Sequence, residues 1–172
     1  MLVIDVGNTN IKSAVWDGHQ LIDCGSFGTL GSDIENDFQS CWLPHTSLIR
    51  KVLVSNVATS QVHDMIKRFC KTYLDIVPEF VVPQKAWMGM STRYQHPGAL
   101  GVDRWLASLA AWTLSRGSVC VVDVGTALTV DVVVANGEHV GGLIAPGPDM
   151  LKASLVSGTA GIEIDQFSAA DR

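Results

Sequence analysis

Two short segments place a carboxylate directly before a glycine-containing turn. Residues 4–9 read Ile-Asp-Val-Gly-Asn-Thr and residues 122–127 read Val-Asp-Val-Gly-Thr-Ala, so Asp123 follows Asp5 by 118 residues. A carboxylate beside the N–H groups of a tight turn can hold Mg²⁺ while those groups bind phosphoryl oxygens. An ordinary β-turn in which the aspartate caps its own loop uses the same residue types. The repetition of the pattern favours the phosphate-binding interpretation.

The first copy carries two further groups suited to phosphate, the Thr9 hydroxyl and the Lys12 amine. The sequence contains neither the GxxxxGK[ST] loop of P-loop proteins nor the GxGxxG fingerprint of dinucleotide-binding domains. Two phosphate-binding hairpins facing one cleft are instead typical of the actin, sugar-kinase and heat-shock ATPase superfamily. The pattern therefore predicts a nucleotide site shared by two halves of the chain.

A second group of polar residues lies at the start of a predicted helix. Gly98 and Gly101 precede Asp103 and Arg104, and Tyr94 lies in the same segment. A helix N-terminus favours anions, an aspartate there can accept a proton from a substrate hydroxyl, and an arginine can bind a carboxylate through two hydrogen bonds. Alternatively, Asp103 caps the helix and Arg104 lies on a solvated face.

Alternating strand and helix patterns surround these groups and predict an α/β protein. We expect duplicated ribonuclease-H-like domains over residues 1–117 and 118–172, with a linker near Arg116 and Gly117. The second unit has room for less than half of the first. Either the chain is truncated, which we expect, or the second domain is naturally abbreviated. The segment 86–98, which contains two glycines and a proline, is predicted to be an irregular loop. A short strand is predicted to run into Asp5-Val-Gly. Further strands are predicted at 11–16, 20–27, 51–55, 80–82, 118–122, 128–135 and 139–145, and helices at 32–43, 60–73, 100–114 and over about ten residues from 149.

Composition excludes several classes of partner. The net charge is −5 and the pI is about 5.4, which argues against nucleic-acid binding, and no apolar run is long enough to span a membrane.

The four cysteines lack metal-ligand spacing and are interpreted as buried thiols. We expect a cytoplasmic protein, because no signal peptide is apparent. The five scattered histidines are expected at the surface, and Trp105 and Trp112 in a core or dimer contact.

Four motifs in order resemble the type III pantothenate kinases, a family that includes the Bvg accessory factors. They are Asp5-Val-Gly-Asn-Thr-Asn-Ile-Lys12, Gly101-Val-Asp-Arg-Trp105, Asp123-Val-Gly-Thr-Ala-Leu-Thr-Val-Asp131 and Gly141-Gly-Leu-Ile-Ala-Pro-Gly147. The resemblance implies ATP-dependent phosphorylation of pantothenate to 4′-phosphopantothenate, the first step of coenzyme A synthesis. The alternative is a catalytically impaired nucleotide-binding or regulatory module derived from such a kinase by C-terminal truncation.

The resemblance also implies a role for each matching residue. Asp103 is the expected proton acceptor, Asp5 lies near the Mg²⁺ of ATP, and Asp123 binds a monovalent cation, K⁺ or NH₄⁺. A homodimer is expected. The ATP site is expected to comprise Asp5, Val6, Gly7, Asn8, Thr9, Asn10, Ile11, Lys12 and Thr126. The pantothenate site is expected to comprise Tyr94, Gly101, Val102, Asp103 and Arg104.

Overall fold

A five-stranded mixed sheet forms the first part of the protein. The computed structural model describes residues 1–29 and 33–158; residue 32, at the start of one predicted helix, and residues 159–172 of the predicted second domain lie outside them. The strand order is β3-β2-β1-β4-β5, with β1 antiparallel to β2 and parallel to β4. The strands are β1 Leu2–Val6, β2 Asn10–Trp16, β3 Leu21–Gly28, β4 Val52–Asn56 and β5 Glu79–Phe80.

Alternation along β1 gives this sheet one apolar and one polar face. Leu2, Ile4 and Val6 are buried, whereas Asp5 is exposed on the opposite face, as the period of two in a strand requires. Helices α1 (Ile34–Trp42) and α2 (Ser60–Phe69) cover the apolar face. The other face is therefore available for a site.

A second five-stranded sheet follows, in the order β6-β7-β10-β9-β8. Helix α3 (Val102–Ser115) packs on it through Trp105 and Leu109, and Trp112 lies against the same core, which confirms the core assignment of both tryptophans. The predicted loop at 86–98 is wrong in part, because it contains β6 and β7. The strands are β6 Ala86–Trp87, β7 Met90–Thr92, β8 Val119–Val124, β9 Ala127–Val133 and β10 Glu138–Pro146, followed by helix α4 Pro148–Gly158.

Each sheet contains an antiparallel meander of three consecutive strands, β1–β2–β3 and β8–β9–β10. Val6 pairs with Ile11 in the first meander and Val124 with Leu128 in the second. The second turn is therefore one residue shorter. On its other side β1 pairs with β4, whereas β8 is at the edge of its sheet within the described residues. Strands β6 and β7 and helix α3 precede residue 117 yet pack with the second sheet, and the domain boundary there stays a prediction.

The cysteines occupy different environments. Cys24 and Cys70 are buried and Cys41 is half-buried, but Cys120 is exposed, so the expectation of four buried thiols is wrong at this position. Cys120 belongs to edge strand β8, whose outward-facing residues have no covering layer in the described part of the chain. Within residues 1–29 and 33–158, no helix has the length and apolarity to cross a membrane.

We expect Cys120 to react with a thiol reagent far faster than Cys70. Burial raises the pKa of the Cys70 thiol to about 12, and the thiolate is the reactive form. Peptide mass spectrometry after a short treatment with iodoacetamide at pH 8 should find the label on Cys120, while Cys70 is labelled only after denaturation. Cys120→Ser should abolish the fast labelling. Equal labelling of both thiols in the folded protein would contradict the burial of Cys70.

Candidate active site

A cavity of about 620 Å³ lies between the polar face of the first sheet and helix α3. Its lining includes three acidic residues, Asp5, Asp103 and Asp123, and one basic residue, Lys12. These residues come from β1, α3, β8 and β2, so the fold joins groups that are up to 118 residues apart in the chain. Carboxylates and an amine around one cavity are groups that can bind a metal–phosphate ligand and accept a proton.

The strand register positions Asp5 at the centre of its neighbours. Across β1 it pairs with Lys12 of β2 on one side and Ser55 of β4 on the other. Residues opposite one another on neighbouring strands share a face, and all three line the cavity. The Ser55 hydroxyl, on a residue 7% exposed, has no hydrogen-bond partner in the described structure. Buried hydroxyls are normally satisfied, so this group suits a polar ligand or water in the cavity.

Ser55 and Asp23 are two polar residues of the lining that were not among the predicted site residues. Both belong to strands next to the one that carries a predicted residue. Only the strand register, which a single sequence does not reveal, brings them to the cavity.

The two predicted phosphate turns touch each other. The hydroxyl oxygens of Thr9 and Thr126 are 2.7 Å apart, and in each turn the glycine N–H donates across the hairpin, Gly7 to the carbonyl of Asn10 and Gly125 to that of Ala127. Gly147 packs so closely on the second turn that a Cβ atom would collide with the carbonyl oxygens of Gly125 and Thr126. One phosphate chain could therefore contact both turns.

Several residues predicted to bind ATP or pantothenate can act only through their backbone. The side chains of Val6 and Ile11 are fully buried in the first core, and Val102 is 7% exposed. Asn8 and Asn10, in contrast, are exposed at the first turn. The stretch from Asp5 to Lys12 thus offers polar side chains at its turn and alternate positions, and main-chain groups between them.

Asp103 does not cap α3, and that alternative is wrong: Gly101 is the N-cap without a side-chain cap hydrogen bond, and Asp103 lies in the first turn. Its Oδ1 accepts the backbone N–H of Arg104 at 2.7 Å, and Asp103 is one of the residues that line the cavity. A Cβ at position 101 would lie 2.5 Å from that oxygen, so glycine there makes room for the carboxylate. The Asp103 carboxylate is therefore fixed at the start of the helix by a local hydrogen bond and belongs to a residue of the cavity lining.

Arg104 is not on a solvated face, and that alternative is wrong. The residue is 9% exposed, and its guanidinium donates from Nε and Nη2 to Asp131 at 2.8 and 2.7 Å. The hydrogen bonds to Asp131, and more weakly the neighbouring Tyr94 phenol, raise the pKa of Arg104. Its predicted contact with a substrate carboxylate stays a prediction. Neither Arg104 nor Tyr94 is part of the cavity lining; the two lie beside each other.

His139 contradicts the expectation of surface histidines. It is fully buried, and its Nε2 lies 2.8 Å from Oδ1 of Asp131. A β-bulge between His139 and Gly141 shifts the register of β10 against β9. Regular alternation from Gly142, which pairs with Asp131, would place Val140 on the Asp131 face; the bulge places His139 there instead.

The cavity offers a cation single carboxylates rather than a cluster of protein ligands. The described residues contain no group of three or more His, Cys, Asp or Glu side chains arranged to hold a metal. Mg²⁺ commonly binds through one or two carboxylates together with phosphate oxygens and water. Asp5 and Asp123, both exposed and both on the cavity, fit that mode.

Comparison with known proteins agrees with this arrangement. The family model of the type III pantothenate kinases matches residues 1–171. The type III pantothenate kinase of Nitrosococcus oceani is 35% identical over 167 residues, which cover 94% of this chain and 62% of that protein. The one of Nitrosomonas eutropha is 37% identical over 164 residues, with 94% and 61% covered. The chain thus spans about three fifths of the length of these relatives.

A solved structure supports the fold alone. The crystal structure of a conserved Baf family protein from Campylobacter jejuni matches with a TM-score of 0.52 and 23% identity, covering 99% of this chain and 66% of that one. The mixed α/β fold with two sheets is consistent with this match. With the family model matching almost the whole sequence and the four motifs in place, the chain belongs to the type III pantothenate kinase family.

Proposed function

We propose that this protein transfers the γ-phosphoryl group of ATP to the terminal hydroxyl of pantothenate, the first step of coenzyme A synthesis. The observation that carries the proposal is the convergence of Asp5, Lys12, Asp103 and Asp123 on one cavity. Family membership supplies the identity of the two substrates.

The phosphate end of the site is assigned to the two turns. In this assignment Asp5, Lys12 and the first turn bind the phosphates of ATP, and Thr126, held at 2.7 Å from Thr9, binds from the second turn. Mg²⁺, when bound, would neutralise phosphate charge beside Asp5, and Asp123 would hold K⁺ or NH₄⁺. The shared meander topology of the two sheets supports duplicated ribonuclease-H-like domains, with the proposed division at residue 117.

Asp103 is assigned to the reacting hydroxyl. As the new O–P bond forms and the bond to ADP breaks, the hydroxyl proton passes to the Asp103 carboxylate. The Arg104 N–H bound to Oδ1 fixes the carboxylate, so one oxygen is anchored while the other can face the hydroxyl. Positioning and charge neutralisation supply most of the rate in phosphoryl transfer, and both can come from groups already in place.

Coupled measurement of ADP release tests the proposal directly. We expect ADP formation that depends on pantothenate and is faster in K⁺ than in Na⁺ buffer. Folded protein that binds ATP but releases no ADP with pantothenate would instead support the nucleotide-binding module. Light scattering on the same sample tests the proposed homodimer.

Asp5→Asn should weaken the affinity for MgATP by about 10- to 100-fold, the loss expected for one charge-assisted contact. The amide keeps the shape of the side chain but removes the charge that attracts the metal. Calorimetric titration with ATP in Mg²⁺ and in EDTA measures the effect, which should be large only with Mg²⁺. Asp64→Asn, an exposed substitution on α2, is the control. Equal weakening with and without Mg²⁺ would contradict the metal-linked role of Asp5.

A further inference from the structure

The Asp131 carboxylate on β9 receives three hydrogen bonds in a buried setting. Its Oδ2 accepts from Arg104 Nε at 2.8 Å, and its Oδ1 accepts from Arg104 Nη2 at 2.7 Å and from His139 Nε2 at 2.8 Å. The three residues are 2%, 9% and 0% exposed in the order Asp131, Arg104, His139. Because an ionised carboxylate only accepts, Nε2 carries the proton in this contact. The guanidinium is therefore held in one orientation.

A gain in folding stability is a weak explanation for the buried group of Asp131, Arg104 and His139. Buried ion pairs lose much of their Coulomb energy to desolvation, and apolar residues of similar volume are often as stable. The neighbouring backbone is also adapted to the pair, since a Cβ on Gly142 would collide with Oδ1 of Asp131. The ion pair adds little net stability, and it fits only because residue 142 is glycine. We therefore expect the fixed orientation of the Arg104 side chain to serve a function.

That orientation directs one nitrogen of Arg104 away from Asp131. Nε and Nη2 are engaged by the carboxylate, which leaves Nη1 to meet another acceptor. The Tyr94 phenol lies near enough to contribute to the raised pKa of Arg104. A guanidinium N–H and a phenol O–H side by side match the two oxygens of a carboxylate.

His139 links Tyr94 to the same group. The Thr92 hydroxyl lies 3.5 Å from Nδ1 of His139 and accepts the backbone N–H of Tyr94 at 3.3 Å. The Tyr94 and His139 rings are 5.9 Å apart at an angle of 31°. Arg104 is thus held directly by Asp131, and Tyr94 lies beside His139, which contacts the same aspartate.

We propose that Asp131 and His139 are positioning residues that hold Arg104 so that Nη1, together with the Tyr94 hydroxyl, binds the carboxylate of the phosphoryl acceptor. Neither residue touches the substrate; both act through Arg104. The inference rests on the proposed function, in which pantothenate, a carboxylate-bearing alcohol, is the acceptor. It adds the residues that select for the carboxylate end of that molecule.

The first arm of the test uses the unsubstituted protein and two ligands. Calorimetry compares pantothenate with its alcohol analogue, in which CH₂OH replaces the carboxylate. We expect the analogue to bind at least about tenfold more weakly, the value of one charge-assisted contact. No binding of pantothenate, with no pantothenate-dependent ADP release, would overturn the proposed function and this inference with it. Equal binding of the two ligands would overturn the inference alone.

The second arm varies the positioning residues. His139→Ala and Asp131→Asn should weaken pantothenate binding about tenfold or more, with little change for the alcohol analogue or MgATP. His139→Gln retains a donor for Asp131 and should restore most of the affinity. The control is Glu138→Gln, at the residue next to His139. It removes an exposed pair of hydrogen bonds with Arg93.

Thermal melting shows which variants are folded before they are titrated. Folded His139→Ala or Asp131→Asn protein that binds pantothenate as the unsubstituted protein does would refute the positioning role. So would a loss that is equal for pantothenate, the alcohol analogue and MgATP, because that pattern belongs to general structural damage. If His139→Ala and Asp131→Asn both unfold, His139→Asn replaces them, because its shorter amide cannot reach Asp131 as His139 Nε2 does; pantothenate binding equal to that of His139→Gln would then refute the positioning role.

Discussion

Asp103→Asn is expected to lower kcat by about 10³-fold, within the range for loss of a general base, and to leave the dissociation constant of MgATP unchanged. The amide cannot accept the hydroxyl proton. Its Oδ1 can still accept the Arg104 backbone N–H that Asp103 binds at 2.7 Å, so the start of α3 should keep its structure. Steady-state ADP release and calorimetric titration with MgATP together measure the two effects.

The matched control is Asp37→Asn, which changes an aspartate in the first turn of α1, on the opposite side of the first sheet. It should retain full activity. If Asp103→Asn protein turned over as fast as the unsubstituted protein, Asp103 could not be the proton acceptor. A parallel loss of MgATP affinity would show that Asp103 and Asp5 do not have the separate roles proposed for them.

The repeated Asp-Val-Gly pattern was sufficient to predict that two distant carboxylates meet. Both copies end a strand at a hairpin turn, and the structure brings Asp5 and Asp123 to one cavity and their turns into contact at Thr9 and Thr126. The prediction succeeded because strand, turn and carboxylate are local features with the same order in both copies. The shared Asp-Val-Gly pattern does not reveal that the second turn is one residue shorter than the first.

The buried group around Asp131 could not be predicted in the same way. His139 faces Asp131 only because a bulge interrupts the alternation of β10, and a residue-by-residue reading of the strand places Val140 on that face. The glycine pair Gly141 and Gly142 was the available signal. Gly141 adopts φ +136°, a conformation that favours glycine, and Gly142 leaves room for the carboxylate of Asp131.

The error in the predicted loop at 86–98 has its cause in short strands. Strands β6 and β7 contain two and three residues, which is too few for a period of two to be recognised. They are formed by pairing with each other and, through β7, with β10, a partner more than 40 residues later in the chain. Their existence depends on tertiary pairing rather than on local preference.

The largest effect on stability is expected from Asp131→Asn, which should lower the free energy of unfolding by about 3 kcal/mol, at the lower end for breaking a buried ion pair. The neutral amide leaves the buried guanidinium of Arg104 without a counter-charge. It can still accept one hydrogen bond, which is why the loss should not reach the upper end. Urea unfolding followed by circular dichroism measures the difference.

Glu138→Gln isolates burial as the cause. Glu138 also binds an arginine through two hydrogen bonds, at 3.0 and 2.9 Å to Arg93, so the two pairs share their geometry and differ in exposure. The Arg93 and Glu138 side chains are 61% and 32% exposed, against 9% and 2% for Arg104 and Asp131. Water solvates the exposed arginine when its partner becomes neutral, and the free energy of unfolding should hardly change. Equal destabilisation by the two substitutions would mean that Arg104 is solvated in the folded protein, contrary to its position beneath Gly142.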